Sequence, residues 1–404
     1  MIKKIINYLG IGKFGWLEFI MALYPILGGY GYGSFQLAFG VLFILDVLII
    51  IRGNLKLIKC LPLVLLFIYV LLHDSLWFFI LPSVPSYFIN SLISTIIYAA
   101  SVFIIAPQLN YNKFISAINV VAIICMIGMI YHVSIISIGQ SVSPIKLPFL
   151  PEMAKNTRLY QMVDRPTSFF WEPQSYASFM MVPLFYALNE RKMIYAFLIA
   201  ALMIVSTSTT GLILSPLMYL LALASNRNKG YTSLIIIIAL MALGYFIMSS
   251  SYTIAGLEKF QNTNIDESNR ISNGYLAFKV MNPSDYLFGI PFANAQDAFD
   301  MGYFGSSVIV YGDGVMYLSA IWIALVQYGI FGLILFLLPY FWIYKKDHNI
   351  LPYLACVVAG HFSNPDFIGA AYSFQIITML VFIQRDKTYK RISHESSNSY
   401  ISVR

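Results

Sequence analysis

The chain has 404 residues, of which 59% are hydrophobic and only 11% are charged. Soluble domains carry about 25% charged residues, so this composition excludes an ordinary soluble domain. The net charge of +7 would suit a nucleic-acid partner in a soluble chain, but Lys and Arg also collect in the cytoplasmic loops of membrane proteins. The membrane explanation is sufficient, so we expect one integral membrane domain over residues 1–404 and no nucleic-acid partner.

Apolar stretches that could cross a hydrocarbon core, which takes roughly 20 helical residues, recur along the whole chain. Hydropathy and turn residues predict about twelve transmembrane helices, at 15–31, 34–51, 60–80, 86–106, 114–139, 174–189, 193–209, 211–225, 231–249, 316–344, 350–363 and 366–383. The predicted fold is an all-α integral membrane protein with two sizeable extracytoplasmic loops, 140–173 and 250–315. The second loop interleaves polar, aromatic and apolar residues, which predicts a small cap of short helices.

The positions of the cations orient these spans. With both chain ends in the cytoplasm, all but seven of the 25 Lys and Arg residues fall in inside segments, as the positive-inside rule requires. The exceptions lie in the two outer loops: Lys146, Lys155, Arg158, Arg165, Lys259, Arg270 and Lys279. Long outer loops are exempt from that rule, so these cations are candidates for binding a ligand.

The stretch DRPTSFFWEPQSYASF, at the end of the first outer loop, places a cation and a carboxylate beside a predicted span. The cation is Arg165 and the carboxylate is Glu172. An arginine fork can pair two phosphate oxygens, and a carboxylate can take a proton from an attacking hydroxyl. The alternative is that the two side chains pair with each other and only stabilise the loop.

The remaining polar candidates lie in the second outer loop and at the last outer turn. Arg270 and Lys279 could meet two charged groups of a ligand or be solvated loop charges. His361, in GHFSNPDF, is on the same predicted face as both loops, and ionisable groups within spans are functional candidates. His73, Asp74 and His132 lie near outer span ends, where ionisable groups reach water at little energetic cost, so they are not chosen.

Two further sequence features bear on the chemistry. STSTTG at 206–211 interrupts an apolar stretch, either as the meeting point of two half-length spans in a cavity or as an ordinary turn. The sequence contains no Gly-rich phosphate loop, no Cys and His metal set and no nucleophile elbow. We therefore expect neither a metal nor a cofactor.

Taken in order, RPTSFFWEP, STSTTGLILSP, NRISNGYLAFKVMNPSDYLFGI and YLSAIWIALVQYGIFGLILF resemble the O-antigen polymerase and O-antigen ligase superfamily. The resemblance covers roughly the stretch from Arg165 to Phe336. The positions that match the family pattern are Arg165, Glu172 and Pro173, the hydroxylated turn at 208–211, Arg270, Tyr275 and Gly289, and finally Tyr328, Gly329 and Gly332.

The resemblance implies transfer of a glycan from undecaprenyl diphosphate to a hydroxyl of another lipid-linked repeat unit, at the outer face of the bacterial plasma (inner) membrane. The expected partners are this lipid-linked oligosaccharide, membrane lipid and a possible chain-length regulator protein. Arg165 and Arg270 would bind the diphosphate, and Glu172 would orient or deprotonate the acceptor hydroxyl. The expected substrate-binding residues are Lys279, His361 and Tyr275.

Two departures from the family pattern favour a polymerase of O-antigen or capsule over a ligase. Ligases carry a His-Asn pair before the last matching span, where this chain reads GDGVMYLSA, and the second glycine of the family's GiG turn is Pro291. A flippase or secondary transporter is a further alternative, because such proteins also often have about twelve spans. They tend to place polar residues near mid-membrane on internal repeats, and we find no repeat.

Overall fold

The computed structural model describes residues 2–32, 35–53, 55–148, 150, 153, 165–225, 238, 269–308 and 316–401. Within these ranges the fold is helical, apart from an antiparallel hairpin of two short strands, β1 (Gly31–Tyr32) and β2 (Phe35–Gln36). The predicted span at 231–249 lies outside the described residues except for position 238.

The chain forms helices of very different length. In chain order they are α1 (Ile2–Leu9), α2 (Trp16–Leu27), α3 (Leu37–Ile51), α4 (Leu61–Ile80), α5 (Pro85–Ile105), α6 (Tyr111–Ser137), α7 (Pro173–Asn189), α8 (Met193–Val205), α9 (Thr209–Ser225), α10 (Asn269–Val280), α11 (Asp285–Phe288), α12 (Ala295–Asp300), α13 (Ala320–Trp322), α14 (Gly329–Lys346), α15 (Leu351–Gly360) and α16 (Ala370–Ile401). A π turn, Ile323–Gln327, joins α13 to α14.

Among the described helices, four are long and apolar enough to cross a membrane. They are α4, α5 with its following 3-10 turn, α6 and α14. Shorter apolar helices accompany them, namely α2, α3, α8, most of α9, and α15 with its preceding turn. Large apolar side chains such as Leu72 and Phe79 lie exposed on α4, which suits a hydrocarbon surrounding. These helices support the prediction of a helical membrane protein.

The helices pack around one continuous apolar core, and the segment 269–308 adds a second, smaller one. In the main core, α4 packs against α5 and α14, α7 against α8 and α9, and α9 against α15. The smaller core contains Ala277, Ile290, Phe304 and Val326 among its members. Within the π turn, Ala324 belongs to the main core and Val326 to the smaller one, so this turn joins the two cores.

The predicted span at 316–344 is broken in the structure. Helix α14 begins only at Gly329, after the π turn, because Gly329 adopts φ +70°. This is a left-handed conformation that residues other than glycine rarely adopt. The break turns the chain away from a regular helix where it meets Gly289, in the LFG turn of the segment 269–308.

Gly289 and Gly329 allow two backbone turns to lie in direct contact. A Cβ on Gly289 would lie 2.0 Å from the carbonyl oxygen of Gln327, and a Cβ on Gly329 would lie 2.4 Å from that of Leu287. The Tyr69 hydroxyl of α4 is 2.8 Å from one carbonyl oxygen in the Gly329 turn and 3.1 Å from another in the Gly289 turn. The turns are therefore joined to each other and to α4.

We expect Gly289→Ala to destabilise the protein strongly, because alanine would meet both the left-handed backbone and the carbonyl of Gln327. The backbone conformation alone costs about 1–2 kcal/mol. Gly302→Ala is the matched control, since Gly302 has φ +74° but a Cβ at this position would meet no atom within 4 Å. The thermal midpoint of detergent-purified protein should fall clearly further for Gly289→Ala. Equal midpoints for the two variants would contradict the backbone contact.

Candidate functional site

A cavity of about 1140 Å³ lies between α2, α5, α7, α16 and the residues around α12. Its aromatic lining residues are Tyr24, Phe39, Tyr98, Trp171, Phe179, Tyr317 and Phe374. Its amide side chains are those of Gln36, Asn90, Gln174, Asn294, Gln296, Gln327, Asn364 and Gln375. Amides both donate and accept hydrogen bonds, and aromatic rings offer apolar faces, so the lining suits a ligand with many hydroxyl groups on rings.

Among the described lining residues, the charged side chains are those of Glu172 and Asp366. The Asp366 carboxylate accepts hydrogen bonds from the backbone N–H groups of Ala371 and Tyr372, and it therefore caps the start of α16. Glu172 precedes α7 with an extended backbone, and Pro173 occupies the first helical position. Helix α7 thus places Glu172 in the cavity wall.

The turn before Glu172 is held by α6. Nδ1 of His132 accepts hydrogen bonds from the backbone N–H groups of Thr167 and Ser168, each at 3.2 Å. The Ser168 hydroxyl donates to the carbonyl of Cys125 at 2.8 Å, and Ser168 adopts φ +56°. A residue other than glycine persists in this conformation only where its surroundings impose it. The contacts with α6 therefore set the path of the chain into Glu172.

Arg165 is bound to the STSTTG turn. Its Nε donates to Oγ1 of Thr207 at 3.0 Å, and its Nη2 donates to the carbonyl oxygen of Thr207 at 2.6 Å. Thr207 also has a left-handed backbone, φ +56°, and its neighbours Ser206 and Ser208 are buried. STSTTG therefore joins two short helices, α8 and α9, with part of its hydroxyl groups buried and Thr209 exposed, and Arg165 binds it at Thr207.

Arg165 and Glu172 interact electrostatically. Burial lowers the pKa of the Arg165 guanidinium, and the charge of Glu172 opposes this shift. A guanidinium nevertheless stays protonated at physiological pH. Because Arg165 also binds Thr207, it is not an exclusive partner of Glu172. The site therefore combines a cation held in place with a carboxylate that lines the cavity.

Arg165 does not itself line the cavity, and neither do Lys279, Tyr275 and His361. Lys279 and Tyr275 are exposed on α10, and the Tyr275 side chain is 57% exposed. His361 is buried, with its Nε2 2.6 Å from the Tyr340 hydroxyl. Arg270 is the second residue of α10, and its side chain lies outside the described part of the chain. Its convergence with Arg165 and Glu172 therefore stays a prediction.

The structure also contains a polar network that sequence reasoning set aside. Asp74 and His73 are buried in α4, and Asp74 accepts a hydrogen bond from the Tyr328 hydroxyl at 3.2 Å. Tyr328 lies at the break before α14, directly after Gln327, which lines the cavity. The sequence signal for this network was the pair of adjacent ionisable residues, His73 and Asp74, within an apolar span. Their partner is 254 positions away, so no local pattern revealed it.

Comparisons with known proteins leave the interpretation to this geometry. No protein-family model, curated protein or solved structure matches the chain.

We expect Arg165→Lys to lower the stability of the protein although it keeps the positive charge. A lysine ammonium cannot reproduce the two-point contact with Thr207, and a hydrogen bond to a charged group contributes about 1.5–3 kcal/mol. Arg191→Lys is the control, because Arg191 is exposed. Thermal midpoints in detergent should separate the two variants. An Arg165→Lys midpoint as high as the control's would show that the contact with Thr207 is dispensable.

Proposed function

We propose that the protein is a glycosyltransferase that polymerises a surface polysaccharide, either O-antigen or capsule. It transfers a glycan chain from undecaprenyl diphosphate to a hydroxyl of another lipid-linked repeat unit. The observation that carries this proposal is the position of Glu172 in a large cavity lined by amide and aromatic side chains. The cavity volume exceeds the roughly 300–1,000 Å³ of small-molecule sites, which favours an oligosaccharide over a single sugar.

The proposal includes the membrane topology predicted from the sequence. With about twelve spans and both termini in the cytoplasm, the cavity would lie at the outer face of the bacterial inner membrane. The distribution of Lys and Arg along the chain supports this orientation. Lipid-linked repeat units would reach the cavity from the outer leaflet, with their carrier chains remaining in the membrane.

In the proposed reaction, Glu172 takes the proton of the acceptor hydroxyl while the hydroxyl oxygen attacks the anomeric carbon of the donor. The bond between that carbon and the diphosphate oxygen breaks, and its electron pair leaves with the undecaprenyl diphosphate. Arg165 and Arg270 stabilise the charge that develops on this leaving group. A cation already fixed by its contacts, as Arg165 is by Thr207, needs little reorganisation during the reaction.

The remaining predicted residues take supporting roles in this proposal. Lys279 and Tyr275, both exposed on α10, would contact the parts of the substrate outside the cavity. His361 precedes Asn364 and Asp366 in the chain, and its contact with Tyr340 supports the turn that carries these two lining residues. The stabilising charges come from arginine, so the reaction is proposed to proceed without a metal.

We expect Glu172→Gln to abolish elongation, with a loss of at least about 100-fold, because glutamine cannot accept the proton. The measurement is turnover of purified lipid-linked repeat units by protein reconstituted in vesicles. Glu190→Gln is the matched control at the other end of α7, where Glu190 pairs with Arg385 at 2.7 Å. Unchanged turnover for Glu172→Gln would leave Glu172 a structural residue. Movement of repeat units across the bilayer without elongation would indicate the transporter alternative.

We expect Arg165→Ala combined with Arg270→Ala to eliminate long polysaccharide, because the diphosphate would lose both stabilising cations. Cells that lack their own copy of the protein would be complemented with the double variant, and polysaccharide length would be read on gels. Lys56→Ala combined with Lys59→Ala removes the same net charge from exposed residues with no proposed role and serves as the comparison for charge alone. Normal chain length in the double arginine variant, at normal protein level, would refute the proposed role of the arginines.

A further inference from the structure

A buried polar network connects helix α4 to the broken helix beside the cavity. Asp74 is 3% exposed, and its Oδ1 lies 3.2 Å from Nδ1 of His73. Its Oδ2 accepts a hydrogen bond from the Tyr328 hydroxyl at 3.2 Å. A carboxylate inside an apolar helix costs free energy unless its oxygens are hydrogen-bonded. Both oxygens of Asp74 have a partner, so this carboxylate belongs to a built network.

Gln327 carries the network to the cavity wall. Its Nε2 donates to the Tyr328 hydroxyl and to the carbonyl of Ala293, each at 3.0 Å. Its Oε1 accepts a hydrogen bond from the backbone N–H of Ala295 at 3.3 Å. Residues 294–296 line the cavity at the start of α12, and Gln327 itself lines it too. One amide therefore holds the backbone of the wall and faces the same cavity.

The irregular helix explains how neighbouring residues can serve both ends of this network. Gln327 is the last residue of the π turn, and Tyr328 follows it directly. π turns are rare and occur frequently at functional sites, since they displace side chains from their regular helical directions. Here the turn brings Gln327 to the cavity while the Tyr328 hydroxyl reaches Asp74.

We propose that Asp74 is a positioning residue for the ligand of the cavity. Through Tyr328 and Gln327 it fixes the wall at residues 294–296, in the same cavity as Glu172. Asp74 itself neither touches the substrate nor transfers a proton. The inference rests on the proposed function in one respect, because it takes the oligosaccharide to be the ligand.

The position of the wall can be tested without any assay of activity. Ala295→Cys places a thiol on the wall, and the native cysteines Cys60, Cys125 and Cys356 are fully buried. In this background we expect Tyr328→Phe to change the rate of thiol modification by a small polar maleimide roughly fivefold, the effect of about one hydrogen bond. Phenylalanine keeps the ring, which stacks on Phe367, and removes only the hydroxyl.

Tyr195→Phe is the matched control for this measurement. Tyr195 is also buried, and its hydroxyl donates to Oδ1 of Asn119 at 3.3 Å. Neither Tyr195 nor Asn119 lines the cavity. The control therefore removes a buried tyrosine hydroxyl of the same kind, and it should leave the modification rate of the introduced thiol unchanged.

Turnover of lipid-linked oligosaccharide, extracted from the cells that produce the protein, then separates a positioning role of Asp74 from a proton-transfer role. Asp74→Asn keeps an oxygen that accepts from Tyr328, so we expect its turnover within about threefold of the wild type. Asp74→Ala and Tyr328→Phe break the network, and each should raise KM by roughly tenfold. A proton-transfer role would instead make Asp74→Asn as inactive as Asp74→Ala.

The outcomes distinguish this inference from the proposed function. Unchanged thiol modification in Tyr328→Phe would overturn the inference even if the wild-type protein polymerises glycan. Equal inactivity of Asp74→Asn and Asp74→Ala would overturn it as well. If Tyr328→Phe alters thiol modification but the wild-type protein elongates nothing, the proposed function fails while the wall-positioning role is supported.

Discussion

The turns at Gly289 and Gly329 lie backbone against backbone, and the arrangement around the cavity depends on this contact. Because no side chain separates the turns, the backbone N–H of Ile290 reaches the carbonyl of Val326 at 3.1 Å. This contact ties the segment 269–308 to the start of α14. The π turn ends at the same place, so the directions of Gln327 and Tyr328 follow from the glycine contact.

Buried polar groups in this apolar bundle join segments that are distant in the chain. His132 holds the backbone at Ser168, and Arg165 holds the turn at Thr207. Each of these contacts stabilises a left-handed residue that would be unfavourable alone. An unpaired polar group in apolar surroundings costs several kcal/mol, so such contacts select one arrangement of the helices over alternatives with similar apolar burial.

Glu172 combines two properties that the proposed chemistry requires. It lies near a cation, which would help to orient an anionic donor, and it lines the cavity in which an acceptor would bind. The turn held by His132 and the helix start at Pro173 together determine where this carboxylate lies.

The helical membrane fold could be predicted from the sequence, because hydropathy is a local property of the chain. The sequence also marked Arg165 and Glu172 as candidates, and the structure places Glu172 in the cavity wall. The break in the predicted span at 316–344, the partner of Arg165 and the Asp74 network could not be predicted, since they depend on contacts between distant segments; the last two join residues 42 and 254 positions apart. His361 shows the same limit at short range. Sequence proximity grouped it with Asn364 and Asp366, whereas the end of α15 buries it against Tyr340 and leaves the other two in the cavity wall. The sequence by itself determined which segments avoid water, and only the tertiary structure decided which polar groups meet, because their partners are brought together by the packing of whole helices.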